Sequence, residues 1–454
     1  MQSILPGRWY SRVARRIAVL ATLGALPTTT MAQTPRQEQP QQQYLSAQES
    51  DPVRMGWMQG FPPPEAKRIS AAAGSFFDFP QWRWSVVHMR ELVPTVSVSR
   101  GLRLATPLPS APDPVIDTLT FTPTGTNTTM TWEASLWKNY TDGILVLHRG
   151  RVVYERYFGA LTPAREHAAM SETKSLTGTL AAILVAEGTL DDRKLVTSYV
   201  PQLAGSAFGD ATVRQVMDMT TALRYSEDYA NPKAEVWTYT AAGNPLPKSK
   251  GYAGPVGYYE ALQQIQKQGE HGRAFAYKTP NADALGWIIA RATGKSVEQQ
   301  LSERIWSKLG MEQAAYYQVD AVGTPFAGGG FNGGLRDMAR FGELMRNRGQ
   351  WHGEQIIPAA AVDEIARGGD RQVFARGDHA EMQGWSYRDM WWHTGNADGA
   401  YAARGVYGQT IYVDPAAEMV IVRFASHPVA ANSANDPYSL PAYGAVARYL
   451  KTRQ

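Results

Sequence analysis

The 454-residue sequence contains no cysteine. Disulfide bonds, thiolate catalysis, iron–sulfur clusters and cysteine-ligated zinc are therefore excluded. Histidine is also scarce: the eight histidines are scattered, with no His-Glu-x-x-His pattern and no close pair, so the sequence predicts no metal site. Charged residues make up only 19% of the chain and hydrophobic residues 44%, which excludes wholesale disorder and allows a sizeable core.

Long hydrophobic runs are absent too. The apolar stretch Ile17–Leu26 covers ten residues, about half of what a transmembrane helix needs, and no longer run follows it. Four arginines precede this stretch, and Thr30-Met31-Ala32 after it offers small residues where signal peptidase requires them. Residues 1–32 are thus predicted to be a secretory signal peptide, with an uncleaved anchor as the alternative. The mature protein is expected to be periplasmic or secreted, with no membrane span.

The predicted mature chain has no large excess of positive or negative charge. The formal net charge is +4, and the predicted signal carries four arginines and no acidic residue, so 4 − 4 leaves the mature chain near neutrality. No basic cluster with interleaved aromatic residues stands out, which argues against a nucleic-acid partner. Aromatic residues are abundant, with 13 Trp and 22 Tyr, and favour aromatic-rich packing and an aromatic-lined pocket. The sequence indicates no oligomeric state.

Two β-rich hairpins lie near opposite ends of the mature chain. One turns at Arg149-Gly150 between Ile144–His148 and Val152–Phe158, and the other turns at Asp414-Pro415. The stretch between them has helical spacing, as in Leu176, Leu180 and Leu184 before the helix-breaking Gly188. Strands at both ends and helices in the middle predict one antiparallel sheet with an inserted helical domain.

This pattern divides the chain into five parts. The Gln- and Pro-rich residues 33–50 are predicted to be a flexible tether, and residues 51–110 an irregular N-terminal arm. Residues 111–170 and 385–454 are predicted to build the sheet domain, and residues 171–384 the mainly helical domain. The fold class is therefore α/β of the α+β kind.

A Ser-x-x-Lys pattern supplies a candidate nucleophile. In Ser171-Glu-Thr-Lys174, positions i and i+3 of a helix share one face, so a neutral Lys174 could take the Ser171 proton. The helix N-terminus would offer free backbone N–H groups to an oxyanion. Ser135 and Lys138 form a second such pattern. Ser171 is favoured because it opens a long apolar helix, whereas Ser135 lies near the end of a short one.

The segment HAAMSETKSLTGTLAAILVAEG resembles the active-site helix of the serine β-lactamase and penicillin-binding protein superfamily, in its class C β-lactamase branch. The arm MGWMQGFPPPEAKRISAAAGSFFDFPQWRWSVVHMRELVPT resembles a narrower group, the 6-aminohexanoate-dimer hydrolase-like proteins. This resemblance implies a β-lactamase/transpeptidase-like fold, an antiparallel sheet flanked by helices. It also implies a covalent acyl-enzyme formed on an amide or ester, without a cofactor.

The superfamily places a tyrosine, often in Tyr-x-Asn, beside the serine and lysine. Tyr229-Ala-Asn matches this tripeptide, whereas Tyr277-Lys-Thr279 carries Thr in place of Asn. Tyr277 is nevertheless favoured as the proton-transfer residue, because Phe-Ala precedes it and a helix follows at the spacing of the family. For Tyr229 the resemblance implies a position over the substrate amide, with an ordinary loop tyrosine as the alternative.

Relatives in the superfamily carry Lys-Thr-Gly or His-x-Gly on the strand opposite the serine. His393-Thr-Gly matches the tripeptide, but Ala403-Arg404-Gly405 leads directly into the C-terminal hairpin and is the preferred position. The resemblance then implies that Gly405 lies beside the substrate. It also implies that the backbone N–H groups of Val406 and Ser171 bind the oxyanion. Because Ala403 stands where these relatives carry Lys or His, the sequence favours a β-lactamase less strongly.

The glycine-rich segment at 328–333 formally fits Gly-x-Gly-x-x-Gly, but no apolar strand precedes it, which disfavours a dinucleotide site. Within it, Asn332 is a candidate pocket residue, with a turn residue as the alternative. The predicted function is an exported amide or ester hydrolase acting on a small molecule. A β-lactamase or D-alanyl-D-alanine carboxypeptidase, and a non-catalytic binding module of the same fold, are the alternatives.

Overall fold

The computed structural model describes residues 44–453. The elements named in this region are as follows. The helices are α1 (Trp82–Ser85), α2 (Met89–Leu92), α3 (Trp132–Lys138), α4 (Glu172–Ala186), α5 (Val213–Met217), α6 (Glu235–Gly243), α7 (Tyr258–Gln264), α8 (Pro280–Thr293), α9 (Val297–Leu301), α10 (Leu335–Arg346), α11 (Ala359–Arg367), α12 (Arg371–Ala375) and α13 (Asp436–Leu450). The strands are β1 (Thr95–Val98), β2 (Thr120–Phe121), β3 (Met130–Thr131), β4 (Thr141–His148), β5 (Arg151–Tyr157), β6 (Glu166–Ala168), β7 (Ala315–Gln318), β8 (Phe331–Gly334), β9 (Gln350–Trp351), β10 (Glu354–Gln355), β11 (Ser386–Arg388), β12 (Trp391–His393), β13 (Tyr401–Gly405), β14 (Gln409–Asp414) and β15 (Met419–Ala425).

A seven-stranded antiparallel sheet is the centre of the fold, with the strand order β11-β12-β13-β14-β15-β4-β5. Both predicted hairpins are present, as β4–β5 and as β14–β15. They meet where β15 pairs with β4, for example at Ile421 opposite Val146. The prediction that both ends of the chain build one antiparallel sheet is therefore confirmed.

The sheet is covered on both faces because its strands carry apolar side chains in both directions. On β4, Leu145 and Leu147 face the main hydrophobic core, whereas Ile144 and Val146 face a smaller core that includes side chains of α3 and α13. Alternate residues of a strand point to opposite faces, so a continuous apolar run requires a cover on each side. Helices α10 and α4 pack against the other face.

The active-site helix α4 is buried along most of its length, as its apolar sequence predicts. It ends at Gly188, whose φ of 75° lies in the left-handed region that glycine adopts without strain. Helix α8 also begins and ends at residues typical of helix termini, with Pro280 in its first turn and Gly294 (φ 73°) as its C-cap. Among the helices of residues 44–453, none is long and apolar enough to cross a membrane.

A four-stranded sheet was not predicted. Its order is β1-β7-β8-β6, and β1 of the arm pairs with β7 from the middle of the chain. The middle segment is consequently not purely helical, since it supplies β7 and β8. This sheet matters for function because β6 leads directly into α4.

The predicted tether from 33 to 50 needs a correction at its C-terminal end. Residues 44–50 include turns packed on the main body, where Ala47 and Ser50 are buried. The predicted signal peptide (1–32) and the rest of the tether lie outside the described residues.

Arg83 explains why this end is ordered. Its buried guanidinium donates to the Ala47 carbonyl (2.5 Å), the Ser50 hydroxyl (3.0 Å) and the Asp142 carboxylate (3.2 Å). It also donates to the Ser426 hydroxyl (3.0 Å). One side chain therefore joins the arm to two neighbouring strands of the seven-stranded sheet, at the start of β4 and just after β15.

Replacing Asp142 by alanine is expected to destabilise the protein by about 3–5 kcal/mol, because a buried charge would lose its partner. The Asp142 carboxylate pairs with Arg83 and also lies 3.2 Å from His167 Nε2, and all three side chains are buried. Urea unfolding measures the change. The control is Glu354→Ala, which removes an exposed ion pair with Arg103 and should cost less than about 1 kcal/mol. Equal losses of stability in the two variants would contradict the conclusion that the buried Asp142–Arg83 ion pair stabilises the fold.

Candidate active site

Ser171 lies at the junction between β6 and α4. Met170 has a φ of 48°, which turns the chain sharply before the helix begins. A non-glycine residue in this region is strained, and such strain is typical of functional sites. Ser171 is the residue immediately before the first residue of α4, and its side chain remains 8% exposed at the edge of a cavity. The serine thus occupies the position at which helix N–H groups are free.

Lys174 lies one turn further along, and its side chain is only 1% exposed. Its Nζ is 2.8 Å from Ser171 Oγ and 2.6 Å from the Gly328 carbonyl oxygen. Burial lowers the pKa of Lys174 from its ordinary value, and the negative charges of Glu227 and Asp283 oppose this change only in part. The geometry suits a neutral amine, which can donate one N–H to Gly328 and direct its lone pair at the serine hydroxyl.

Gly328 is fixed by contacts with α8 and α4. The Asp283 carboxylate accepts its N–H at 3.0 Å, and Thr177 donates to the preceding carbonyl, that of Ala327, also at 3.0 Å. A Cβ at Gly328 would lie 2.6 Å from Thr279 Cγ2, so only glycine fits there. The glycine-rich segment that formally matched a nucleotide motif therefore serves close backbone packing, which positions the carbonyl that holds Lys174.

Asp283 is a positioning residue that the sequence did not reveal. It is buried, and its second oxygen accepts a hydrogen bond of 2.7 Å from the Tyr239 hydroxyl. Burial raises the pKa of Asp283 to about 7, while the Tyr239 hydrogen bond and the Lys174 charge lower it. The carboxylate thus influences Lys174 both through its charge and through Gly328.

Tyr277 completes the cluster. Its hydroxyl forms a hydrogen bond with Ser171, and its ring centre lies 5.1 Å from Lys174 Nζ. Its backbone N–H donates to the Asp378 carboxylate at 3.0 Å, which fixes the segment before α8. Burial, reinforced by Glu227, raises the pKa of Tyr277 well above its ordinary value, so its hydroxyl keeps its proton. The structure therefore brings Ser171, Lys174 and Tyr277 together.

Tyr229 lines the same cavity as Ser171 and is 36% exposed. Its hydroxyl donates to Glu227 Oε1 at 2.8 Å. The same carboxylate accepts from the Thr279 hydroxyl (2.6 Å) and the Thr279 N–H (2.7 Å). Glu227, which sequence reasoning also missed, therefore links the Tyr229 loop to the position where relatives carry the Asn of Tyr-x-Asn.

The third wall comes from the end of β13. A Cβ at Gly405 would lie 2.7 Å from the Ala169 carbonyl oxygen, so this strand passes directly against the turn before Ser171. Val406 lines the same cavity as Ser171 and Lys174. Arg404 forms a bidentate ion pair with Asp436, at 2.6 and 2.7 Å.

His393, of the competing motif, lies one strand away. It is buried and stacks on Tyr401, and burial lowers its pKa to about 4.

Asn332 does not line the cavity, contrary to the expectation from the sequence. It is fully buried in β8, and its side-chain N–H donates to the Gly330 carbonyl at 2.8 Å. The rival Ser135 does not meet its lysine either. Its hydroxyl donates to the Trp132 carbonyl at 2.6 Å, while the amine of the exposed Lys138 lies over the Tyr438 ring. No cluster of residues able to hold a metal ion occurs within residues 44–453.

Comparison with known sequences identifies the family of the chain. A sequence model of the β-lactamase family matches residues 133–442. A 6-aminohexanoate-dimer hydrolase from Paenarthrobacter ureafaciens is 34% identical over 369 residues, which cover 80% of this chain and 91% of that protein.

Solved structures extend the comparison. A Bacillus anthracis protein described as a 6-aminohexanoate-dimer hydrolase superposes with a TM-score of 0.76 at 34% identity, covering 84% of this chain and 97% of its own. A penicillin-binding protein homologue from Caulobacter crescentus, 16% identical, shares the fold with a TM-score of 0.52 over 69% of this chain and 96% of its own. The chain therefore belongs to the β-lactamase family of serine hydrolases, and it resembles 6-aminohexanoate-dimer hydrolase.

Proposed function

We propose that the protein cleaves an amide or an ester through a covalent acyl-enzyme formed on Ser171. The observation that carries this proposal is the contact of Ser171 Oγ with two groups at once, the buried Lys174 amine at 2.8 Å and the Tyr277 hydroxyl. A nucleophile bonded to a base that is itself oriented by a third group is the usual arrangement for covalent catalysis. Here Gly328 orients the base.

The reaction begins when Lys174 takes the Ser171 proton and Oγ bonds to the substrate carbonyl carbon. The carbonyl oxygen becomes an oxyanion, which the backbone N–H groups of Ser171 and Val406 are proposed to bind. When the C–N or C–O bond breaks, Tyr277 gives its proton to the leaving atom and regains one from the Lys174 ammonium. Water then attacks the acyl carbon and gives a proton to the same pair. The pair passes this proton to Oγ as the C–Oγ bond breaks, which restores the serine hydroxyl and the neutral amine.

A small linear amide is the proposed substrate, with short-chain esters as companion substrates. The 34% identity to 6-aminohexanoate-dimer hydrolase supports a linear amide of that kind. A β-lactamase or carboxypeptidase reaction is less well supported, because Ala403 offers no charge and Arg404 is already paired with Asp436. Tyr229 is proposed to lie over the substrate amide. Gly405 does not line the cavity, contrary to the expectation from the sequence; its missing side chain instead lets β13 pass against the Ala169 carbonyl.

A fluorophosphonate probe tests the covalent mechanism. The probe is expected to label the wild-type protein at Ser171, as located by peptide mass spectrometry, and Ser135→Ala but not Ser171→Ala should retain the label. Purified protein should then be screened against linear amides, p-nitrophenyl esters and nitrocefin. Absence of labelling would refute the acyl-enzyme and favour a non-catalytic binding module. Turnover of nitrocefin alone would favour the β-lactamase reaction.

Tyr277→Phe is expected to lower kcat by about 100-fold, because it removes the hydroxyl that returns a proton to the leaving group. Tyr229→Phe is the matched control and should lower kcat much less, since its hydroxyl contacts Glu227 and not Ser171. Steady-state hydrolysis of one amide by both variants measures the difference. If the two losses were reversed, the roles of the two tyrosines would have to be exchanged.

Export is proposed as well, on the basis of the signal-like residues 1–32. Expression of the full chain in a Gram-negative host should give periplasmic protein whose N-terminus begins shortly after Ala32. Cytoplasmic protein that keeps its first 32 residues would refute the proposal.

A further inference from the structure

Two neighbouring cavities share Tyr225, Tyr229 and Val406 as wall residues. The first has a volume of about 370 Å³ and is also lined by Ser171 and Lys174. The second has a volume of about 870 Å³ and is also lined by Tyr277, the hydrogen-bond partner of Ser171. A substrate bound at Ser171 could therefore extend in two directions.

The position of Tyr277 distinguishes the two directions. In the proposed function, Tyr277 delivers a proton to the leaving group, and Tyr277 lines the second cavity. The leaving group therefore extends into the second cavity, and the acyl group into the first. This assignment rests on the proposed function.

The wall of the first cavity is mainly apolar and aromatic. It includes Phe77, Tyr225, Trp237, Tyr258 and Phe326. Such a wall binds an apolar group through burial and dispersion, and it offers few partners to a charged one.

Within the described residues, the only charged side chains lining this cavity are Asp78 and Lys174. The Lys174 amine is engaged by Ser171 and by the Gly328 carbonyl, and Asp78 is acidic. A carboxylate on the acyl group would therefore lose its hydration without meeting an available cation among the described residues of this wall, which is costly.

The arm supplies one side of this cavity, through Gly74, Phe77 and Asp78. Phe77 stacks on the buried Trp82 with ring centres 5.2 Å apart, and Trp82 in turn contacts Tyr407 at 5.0 Å. Tyr407 follows Val406, so the stack joins the arm to the proposed oxyanion strand. The arm precedes residues 133–442, which match the family model. This part of the wall is therefore built outside the matched region.

We propose that the first cavity selects acyl groups with an apolar body and no negative charge, and that Phe77 of the arm is a specificity-determining residue.

Two p-nitrophenyl esters with six-carbon acyl chains test this selection. Wild-type protein should cleave p-nitrophenyl hexanoate with a kcat/KM at least about 100-fold higher than mono-p-nitrophenyl adipate, which differs in its terminal carboxylate. Phe77→Lys would place a cation in the wall. It should raise kcat/KM for the adipate ester at least about tenfold and lower it for the hexanoate ester.

Phe61→Lys is the matched control, because Phe61 lies on the same arm, is fully exposed and does not line the cavity. It should leave both esters unchanged. Equal cleavage of the two esters by wild-type protein would overturn the selection, and an unchanged preference in Phe77→Lys would overturn the role of Phe77. In either case, continued fluorophosphonate labelling of Ser171 would leave the proposed function standing. Loss of labelling would refute both.

Discussion

Ser171→Ala is expected to lower kcat/KM by at least about 10⁴-fold, the largest effect of any single substitution in this protein. The variant removes the atom that is proposed to bond to the acyl carbon, and neither Lys174 nor Tyr277 can replace it. Hydrolysis of a p-nitrophenyl ester or a linear amide measures the loss. Binding of substrate should persist, because the cavity walls are unchanged.

Ser135→Ala provides the comparison, since Ser135 belongs to the other Ser-x-x-Lys pattern. Its hydroxyl donates to a backbone carbonyl within its own helix, so activity should stay within about threefold of wild type. Circular dichroism and thermal unfolding should show that both variants are folded. A loss in Ser135→Ala comparable to that in Ser171→Ala would contradict the assignment of the nucleophile.

Lys174→Met is expected to lower kcat/KM by about 10³–10⁴-fold, because it removes the proposed base while roughly preserving side-chain volume. Lys174→Arg should be similarly inactive, since a guanidinium does not give up its proton. The pair of variants thus separates a proton acceptor from a mere positive charge. Substantial activity in Lys174→Arg would show that Lys174 acts through its charge.

The pH dependence of the wild-type enzyme follows from the same residue. Burial lowers the pKa of Lys174, so its amine is neutral over a wider pH range than an exposed lysine. Below that pKa the amine is protonated and cannot accept the serine proton. We therefore expect kcat/KM to rise with pH through the lowered pKa, measured as a pH–rate profile on an uncharged ester.

The main sheet could be predicted because its hairpins are local. In β4–β5 and β14–β15, apolar β-formers and a turn lie within about 15–20 residues. The four-stranded sheet was missed because its strands are short and far apart in sequence. Strand β8 also reads Phe-Asn-Gly-Gly, in which only Phe favours a strand.

The same distinction holds in the site. Ser171 and Lys174 share a helix face, so their contact follows from helix geometry alone. Asp283 and its partner Gly328 are 45 residues apart in the sequence, and Glu227 and Thr279 are 52 residues apart. No local sequence pattern predicts either contact. Asn332 was predicted to line the pocket, with a turn residue as the alternative, and neither describes it, because the glycine-rich segment pairs as a buried strand.

The Arg83 contacts have a consequence for the order of events during synthesis. Arg83 reaches Ser426, just beyond the last strand of the main sheet, as well as Asp142 near its beginning. The Phe77 side of the cavity is attached through this neighbourhood, by way of Trp82. A nascent or truncated chain that lacks the final hairpin therefore forms fewer of the contacts that hold the Phe77 side of the cavity. We expect this side of the cavity to reach its final position only after the last strand of the main sheet has been made.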